Sequence, residues 1–157
     1  MLYSTLFIGE DKFAIEIPEI IEITRSIRIH PIIGAPTVID GLINLRGKII
    51  TIINSGIALG CNKVQTTEDS RIYILKTPSP ETSHGNDIKY DSSGDDDLGI
   101  HVDSISEVME IESRELHRVP ANLHHPYFRY VIKDDTGFIT VLHTEYLLGL
   151  SESKELS

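Results

Sequence analysis

Apolar and polar residues alternate with a period of two along most of this chain. In the segment 21–29, isoleucine stands at positions 21, 23, 27 and 29, and Arg25 takes the remaining position of that series. Because successive strand side chains point to opposite faces, this segment is predicted to be a long strand with one buried face. Similar runs, separated by glycine, proline and aspartate, predict strands at residues 2–8, 13–17, 42–45, 49–53, 71–76, 98–102, 106–111, 127–133 and 138–143.

Turn-forming sequences between these runs predict antiparallel hairpins. Residues 9–12 join the first two strands, and residues 134–137 join the last two. A helical pattern is clear only at 144–150, where Thr144 can cap the first turn and Gly149 lies near the end. Many short strands without alternating helices predict an all-β barrel or sandwich and argue against a parallel α/β sheet.

Length and composition narrow the class of protein. The chain has 157 residues, of which 40% are apolar, as expected for a single globular domain. No apolar run is long enough to cross a bilayer, the N-terminal residues do not resemble a signal peptide, and the single Cys61 fits a reducing compartment. The net charge of −10 argues against binding to a phosphate backbone. We therefore expect a cytoplasmic protein with no nucleic-acid partner and no direct membrane insertion.

Much of the negative charge lies in the segment 77–97. It holds six acidic residues against one lysine, Lys89, together with two prolines, two glycines and several serines. Such a composition cannot bury enough apolar surface to offset the entropy of ordering the chain. The segment is predicted to be a long flexible loop inserted between two strands.

Candidate metal ligands and catalytic residues are few. Adjacent side chains in an extended segment point to opposite sides, so His124 and His125 would not readily share an ion. Residues 91–97 lack the spaced ligands and terminal glutamate of an EF-hand loop. Cys61 has no identified base, and neither a phosphate-binding glycine loop nor a Gly-x-Ser-x-Gly elbow occurs. We expect no metal, no cofactor and no enzymatic activity.

The most informative segment is 40–54, which reads DGLINLRGKIITIIN. Two apolar runs flank the turn at Arg46, Gly47 and Lys48, so Arg46 is held at a fixed point between two strands. Its planar guanidinium suits a carboxylate partner better than a lysine ammonium would. The second run is apolar except at Thr51, which predicts a strand covered on both faces.

This segment resembles the signature of the CheW family, the coupling proteins of bacterial chemotaxis. The resemblance rests on Asn-Leu-Arg-Gly at 44–47 followed by the isoleucine-rich strand, and on similar blocks at 13–23, 98–108 and 138–148 in the right order. It covers nearly the whole chain outside the acidic segment. The chain departs from the family pattern at Thr51, where many members have proline, and at 54–56, where Asp-Leu-Arg is common.

The resemblance implies both a fold and a function. The fold is a single domain, 1–157, with two five-stranded SH3-like β-barrels around a shared hydrophobic core. Here the barrels would span about 1–60 and 68–143, followed by a short C-terminal helix at 144–150. The function is that of a non-catalytic adaptor. It would couple the cytoplasmic tip of a methyl-accepting chemoreceptor to the regulatory domain of a CheA-type histidine kinase, in receptor arrays on the inner face of the membrane.

The resemblance also implies which residues bind the receptor. Glu22 and Arg46 would make polar contacts in the groove between the barrels, and Ile20 would make an apolar contact nearby. Asn44 and Gly47 would have a structural role in the turn. A receptor helix can offer apolar side chains to such a groove and carboxylates to a fixed arginine.

Each of these residues also has a purely structural interpretation. Arg46 could pair with a neighbouring carboxylate at the barrel seam, Glu22 could be a solvated outward position, and Ile20 could belong to the core. A different functional class is a small-molecule-binding or catalytic β-barrel with its ligand in the inter-barrel cleft. Such a cleft should gather polar groups with perturbed pKa values, and the sequence offers only Arg46, Glu22 and scattered histidines for this purpose.

Overall fold

The structure is a computed structural model that describes residues 1–25, 27–76, 97–123, 126–135 and 137–149. Its strands are β1 (Leu2–Ile8), β2 (Asp11–Glu16), β3 (Ile20–Arg25), β4 (Ile39–Leu45), β5 (Lys48–Asn54), β6 (Arg71–Leu75), β7 (Leu98–Val102), β8 (Ser104–Glu110), β9 (His117–Arg118), β10 (Phe128–Asp134) and β11 (Gly137–Leu142). Its α-helices are α1 (Ser55–Ala58) and α2 (Thr144–Gly149), and 3-10 turns lie at Ile17–Glu19, Ser113–Glu115 and Ala121–Leu123.

The strands form two sheets. One has six strands in the order β8-β1-β2-β11-β10-β9, and the other has five strands in the order β3-β6-β7-β5-β4. The five-stranded sheet curls so far that the chain after β3 meets β4 at the opposite edge, where the amide nitrogens and carbonyl oxygens of His30 and Leu42 exchange hydrogen bonds of 2.8 and 2.9 Å. The predicted all-β fold of two small barrels around a shared core is confirmed, and the two-residue strand β9 gives one of the two expected five-stranded sheets a sixth member.

The two sheets do not coincide with the predicted division into residues 1–60 and 68–143. β1 and β2 join the C-terminal strands, while β6 and β7 join β3, β4 and β5. Four pairings across the predicted division produce this exchange. β2 with β11 and β5 with β7 are parallel, and β1 with β8 and β3 with β6 are antiparallel. Periodicity in a sequence locates strands, but it does not identify which distant strand becomes the neighbour.

Three apolar clusters fill the molecule. A cluster inside the six-stranded sheet is built around Ile132, Ile139 and Val141, and a cluster inside the five-stranded sheet is built from isoleucines. The third is shared between the sheets, and its members are Leu6, Ile8, Phe13, Ile15, Ile53, Tyr73, Leu75, Ile100, Val102, Leu142 and Leu147. Since both sheets contribute to this shared core, each covers an apolar face that the other would otherwise expose to water.

One buried hydrogen bond crosses the shared core. The hydroxyl groups of Ser4 on β1 and Tyr73 on β6 are 2.7 Å apart, and both residues are buried. Burial raises the pKa of the Tyr73 phenol above its usual value, and the bond to Ser4 partly opposes this shift. The pair therefore satisfies two polar groups inside an otherwise apolar contact.

The structure differs from the predicted elements in three local respects. β3 ends at Arg25, although Ile27 and Ile29 still pack against the cluster inside the five-stranded sheet. Ile49 is 62% exposed, so the prediction that its strand is covered on both faces is wrong at that end. The short helix α1 was not predicted; its N-cap is Asn54, whose Oδ1 accepts a hydrogen bond from the Ile57 amide.

Several predictions fall on parts of the chain that the structure does not describe. The acidic segment lies outside the described residues except for Asp97, and His124 and His125 lie outside them as well. Within the described ranges, no helix is both long and apolar enough to cross a membrane.

Burial of the Tyr73 phenol predicts an alkaline pH dependence of stability. Because the folded state holds the Tyr73 pKa above the unfolded value of about 10, stability should fall as pH rises past that value. Tyr73→Phe should reduce this fall and, at pH 8, lower the free energy of unfolding by about 1–3 kcal/mol, because the Ser4 hydroxyl loses its partner. Urea denaturation at pH 8 and at several alkaline pH values measures both effects. If the free energy of unfolding fell equally with rising pH in the wild type and in Tyr73→Phe, Tyr73 would not be the source of the alkaline pH dependence.

Gly41 should tolerate no side chain. Its φ is +144°, and an added Cβ would lie 2.1 Å from the His30 carbonyl oxygen. Gly41→Ala should therefore cost at least about 3 kcal/mol in chemical denaturation. Gly137→Ala is the matched control, because Gly137 has a φ of +149° with no atom within 4 Å of the added Cβ. Similar losses in the two variants would show that backbone strain, and not the approach of His30, sets the cost.

Candidate functional site

The hairpin between β4 and β5 turns through Arg46 and Gly47. Both have positive φ, +52° and +90°, which is the geometry of a type I′ turn. Asn44 supports the turn, because its Oδ1 accepts a hydrogen bond of 2.8 Å from the Gly47 amide. Among the described residues, Arg46 is the non-glycine residue with a positive φ, a conformation that costs an arginine roughly 1–2 kcal/mol. Asparagine or glycine would suit this turn position better than arginine does.

Arg46 forms an ion pair with Glu22 on β3. Its Nη2 donates a hydrogen bond to Glu22 Oε1, and the side chains of Arg46 and Glu22 are 70% and 29% exposed. This hydrogen bond and the attraction of the carboxylate raise the pKa of Arg46, so the guanidinium stays charged. Nη1 and Nε of Arg46 bind no other described residue, which leaves one edge of the guanidinium open to solvent. The structure therefore brings these two predicted residues together.

A bulge in β3 separates the roles of two neighbouring isoleucines. Ile20 pairs with Leu75, but Glu22 pairs with Ile74, so β3 contains one extra residue between these points. Ile20 is partly buried against the shared core, while Ile21 is 46% exposed beside Glu22. The predicted apolar contact residue, Ile20, thus lies mainly in the core. Ile21, which the sequence reasoning missed, presents the apolar surface next to the ion pair.

A cavity of about 200 Å³ opens beside the Arg46–Glu22 pair. Its lining residues are Ile21, Glu22, Leu45, Arg46, Lys48, Ile50, Ile74 and Asp97. These residues belong to the five-stranded sheet or directly precede β7, so the cavity lies at the end of that sheet. The resemblance implied a groove between the barrels, and the difference arises because the turn holding Arg46 extends from the five-stranded sheet alone.

The rim of the cavity is charged and its floor is apolar. A second ion pair joins Lys48 Nζ to Asp97 Oδ2 at 3.6 Å, while Ile50 and Ile74 are almost fully buried beneath it. Both ion pairs lie near the surface, so solvent screens them and each is weak. Such a surface suits a partner that contributes apolar side chains flanked by charge.

Glu19, which precedes Ile20, lies in a polar seam between the β2–β3 connection and the C-terminal elements. The Thr144 hydroxyl donates a hydrogen bond of 2.7 Å to Glu19 Oε1, and Arg129 Nη1 lies 3.5 Å from Glu16 and 3.9 Å from Glu19. Burial raises the pKa of the Glu19 carboxyl, and the bond from Thr144 opposes the shift. The seam fixes the point where β3 begins and so the position of the bulge that follows.

A buried cluster of Asp40, His101 and Asn54 does not provide catalytic chemistry. His101 Nδ1 lies 2.9 Å from Asp40 Oδ2, and Asn54 Nδ2 donates to both Asp40 oxygens at 3.0 and 3.1 Å. Ser55, the nearby hydroxyl, donates to the backbone carbonyl of His101 and not to its ring. Because His101 is 1% exposed, the cluster is closed to a substrate and serves to anchor α1 to β4 and β7.

Other candidate groups remain separate. In the part of the chain that the structure describes, no three His, Cys, Asp or Glu residues are grouped closely enough to hold a metal ion. Cys61 is exposed, and its Sγ lies 3.9 Å from the Leu59 carbonyl oxygen. The surface around Arg46 is therefore the candidate functional site.

The positive φ of Arg46 predicts that replacing it can stabilise the fold. Arg46→Asn would create the Asn-Gly sequence preferred in type I′ turns, so the free energy of unfolding should rise by about 0.5–1 kcal/mol despite the lost exposed ion pair. Glu22→Gln is the control, since it removes the same ion pair without changing the turn. Urea denaturation compares the three proteins. A loss of stability in Arg46→Asn greater than in Glu22→Gln would show that the arginine stabilises the turn.

Comparisons with known proteins agree with this architecture. The model of the CheW-like domain family matches residues 3–152. The chemotaxis protein CheW of Treponema pallidum is 26% identical over 156 residues, covering 98% of this chain and 85% of that protein. The chemotaxis protein CheW of Helicobacter pylori is 24% identical over 143 residues, covering 90% of this chain and 77% of that protein.

A solved structure has the same fold. The crystal structure of the scaffolding protein TtCheW from Thermoanaerobacter tengcongensis matches with a TM-score of 0.76 at 23% identity, covering 93% of this chain and 86% of that chain. The resemblance found in the sequence is thereby confirmed, and since the family match spans nearly all of its length, the chain belongs to the CheW-like domain family.

Proposed function

We propose that this protein couples the cytoplasmic tip of a methyl-accepting chemoreceptor to the regulatory domain of a CheA-type histidine kinase. As a member of the CheW-like family it is a non-catalytic scaffolding protein of chemotaxis signalling. The names of its relatives, chemotaxis protein CheW and scaffolding protein TtCheW, support the proposal. The site of action would be the cytoplasmic face of the membrane, in receptor arrays.

The conformation of Arg46 is the observation that carries the receptor assignment. The chain keeps an arginine at a turn position that favours asparagine or glycine, so stability of the turn does not explain the residue. Arg46 uses one nitrogen for Glu22 and leaves its other edge open above the cavity. A receptor carboxylate can occupy that edge while Glu22 keeps the guanidinium in place.

Each residue near Arg46 would have a different role in receptor binding. Glu22 would orient Arg46, and Ile21 would contact apolar residues of a receptor helix. Ile20 would act from the core by fixing the bulge. Asn44 and Gly47 would hold the turn, because their hydrogen bond sets the direction of the Arg46 side chain.

The kinase regulatory domain would bind a different surface by barrel-to-barrel packing. A scaffold must hold both partners at once, so the two surfaces cannot overlap. Each contact can then be of modest affinity, since multivalency in an array supplies the remaining stability. This arrangement would let a small change in receptor packing reach the kinase.

A small-molecule function has weaker support from the geometry. The cavity of about 200 Å³ is smaller than typical ligand pockets, which hold roughly 300–1,000 Å³. Its polar groups are already engaged in the two ion pairs. A ligand that raises the melting temperature of the protein in a thermal-shift screen, and loses its effect in Arg46→Glu, would favour this alternative.

A binding experiment with separate partners tests the proposal. We expect purified wild-type protein to bind both the cognate receptor tip and the CheA-type regulatory domain. Arg46→Glu should weaken receptor binding by at least about tenfold and leave kinase binding unchanged, because the charge reversal places a carboxylate against the receptor carboxylate. Arg114→Glu is the matched control, since Arg114 is another exposed arginine with a carboxylate neighbour, Glu112.

The outcomes separate binding from folding. Circular dichroism should give superimposable spectra for the wild type and both variants. An unfolded Arg46→Glu variant would assign the arginine a structural role. Equal receptor affinity in a folded Arg46→Glu variant would place the receptor on another surface.

A further inference from the structure

Two arginines face each other across adjacent strands of the five-stranded sheet. Arg25 at the end of β3 is the register partner of Arg71 at the start of β6. Directly opposed residues of an antiparallel pair point to the same face, and like charges in this arrangement destabilise the sheet. The chain therefore retains an unfavourable pair of cations at this position.

A third arginine, Arg28, follows Arg25 by three residues in the chain. Ile27 and Ile29 pack against the cluster inside the five-stranded sheet, whereas Arg28 between them is exposed. Arg25 and Arg71 point away from that interior, because they share a face with Tyr73 and Ile23, which pack into the core between the sheets. We refer to Arg25, Arg28 and Arg71 together as the arginine cluster.

The arginine cluster has no carboxylate partner among the described residues. Some other cations of the described ranges do have carboxylate partners, including Arg46 with Glu22, Arg114 with Glu112 and Lys12 with Glu107. The sequence supplies 24 acidic residues against 14 lysines and arginines, so carboxylates are plentiful. Those within the described ranges are nevertheless placed outside ion-pair distance of Arg25, Arg28 and Arg71.

The guanidinium of Arg71 is already oriented. Its Nη1 donates hydrogen bonds of 3.0 and 2.8 Å to the backbone carbonyls of Glu68 and Ser70. Nε and Nη2 of Arg71 make no hydrogen bond to another described residue, and these donors can bind a planar carboxylate in a bidentate manner. Holding the side chain in advance reduces the entropy lost when a partner binds.

We propose that the cluster of Arg25, Arg28 and Arg71 is a docking surface for a carboxylate-rich segment of a partner protein. The surface is separate from the cavity beside Arg46, because Arg25 and Glu22 lie on opposite faces of β3. Nucleic acid fits less well, since the whole chain has a net charge of −10 that repels a phosphate backbone.

A labelled acidic peptide tests the proposal directly. The probe is fluorescein-labelled hexaglutamate, and fluorescence anisotropy at low ionic strength follows its binding. We expect saturable binding that added salt weakens, and a reduction in affinity of about two- to fivefold for Arg25→Gln and again for Arg28→Gln. Arg114→Gln, which removes an exposed arginine paired with Glu112, should bind like the wild type.

Three further arms of the experiment can overturn the proposal. Binding that is lost in Arg46→Glu but kept in Arg25→Gln would place the acidic segment at the β4–β5 turn. Hexathymidylate binding more tightly than hexaglutamate would identify nucleic acid as the occupant. Self-association at low salt in sedimentation, abolished by Arg25→Gln, would identify a second copy of the chain.

The variants used in these binding measurements should remain folded, so a loss of affinity would not reflect unfolding. Arg71→Gln removes the hydrogen bonds to Glu68 and Ser70 and can disturb the loop before β6. Arg25 and Arg28 are exposed and make no hydrogen bond from their side chains to another described residue, so their glutamine variants should keep the wild-type circular dichroism spectrum. Equal affinity for hexaglutamate in the wild type and in the Arg25→Gln, Arg28→Gln double variant would refute the docking surface.

Discussion

The pairing of strands that are distant in sequence is the constraint on which this structure depends. β2 lies beside β11 and β5 lies beside β7, both in parallel orientation. Each sheet is therefore closed by strands from distant parts of the chain, and the two sheets bury one shared core. Each sheet has an apolar face on the shared core that the other sheet covers, so we expect the molecule to unfold as a single cooperative unit.

The conformation of the candidate site depends on this arrangement of paired strands. Arg46 sits in a backbone conformation that is unfavourable for it, and such conformations persist only where the surroundings determine them. Here the β4–β5 ladder, the Asn44–Gly47 hydrogen bond and the ion pair with Glu22 supply that support. The functional group is thus held by the fold, although its side chain remains largely exposed.

Sequence periodicity located nearly all strands, because alternation directly reflects which face of a strand is buried. It also identified Arg46, since a cation in a turn between two apolar runs is visible in the sequence. It could not identify Ile21, because the bulge that exposes this residue depends on how β3 pairs with β6, some fifty residues later. Helix α1 did have a signal, as Asn54 directly before Ser55 and Gly56 is a favourable N-cap at the end of a strand.

The strand order also determines the sequence in which the molecule can assemble during synthesis. A chain emerging from the ribosome exposes β1 and β2 first, but β2 acquires its second neighbour only when β11 appears. The five-stranded sheet has all of its strands once Val102 has emerged, well before the six-stranded sheet is complete. The five-stranded sheet can therefore form before the six-stranded sheet is complete. The β1–β2 hairpin is synthesised first, but the edge of β2 stays unpaired until β11 has emerged.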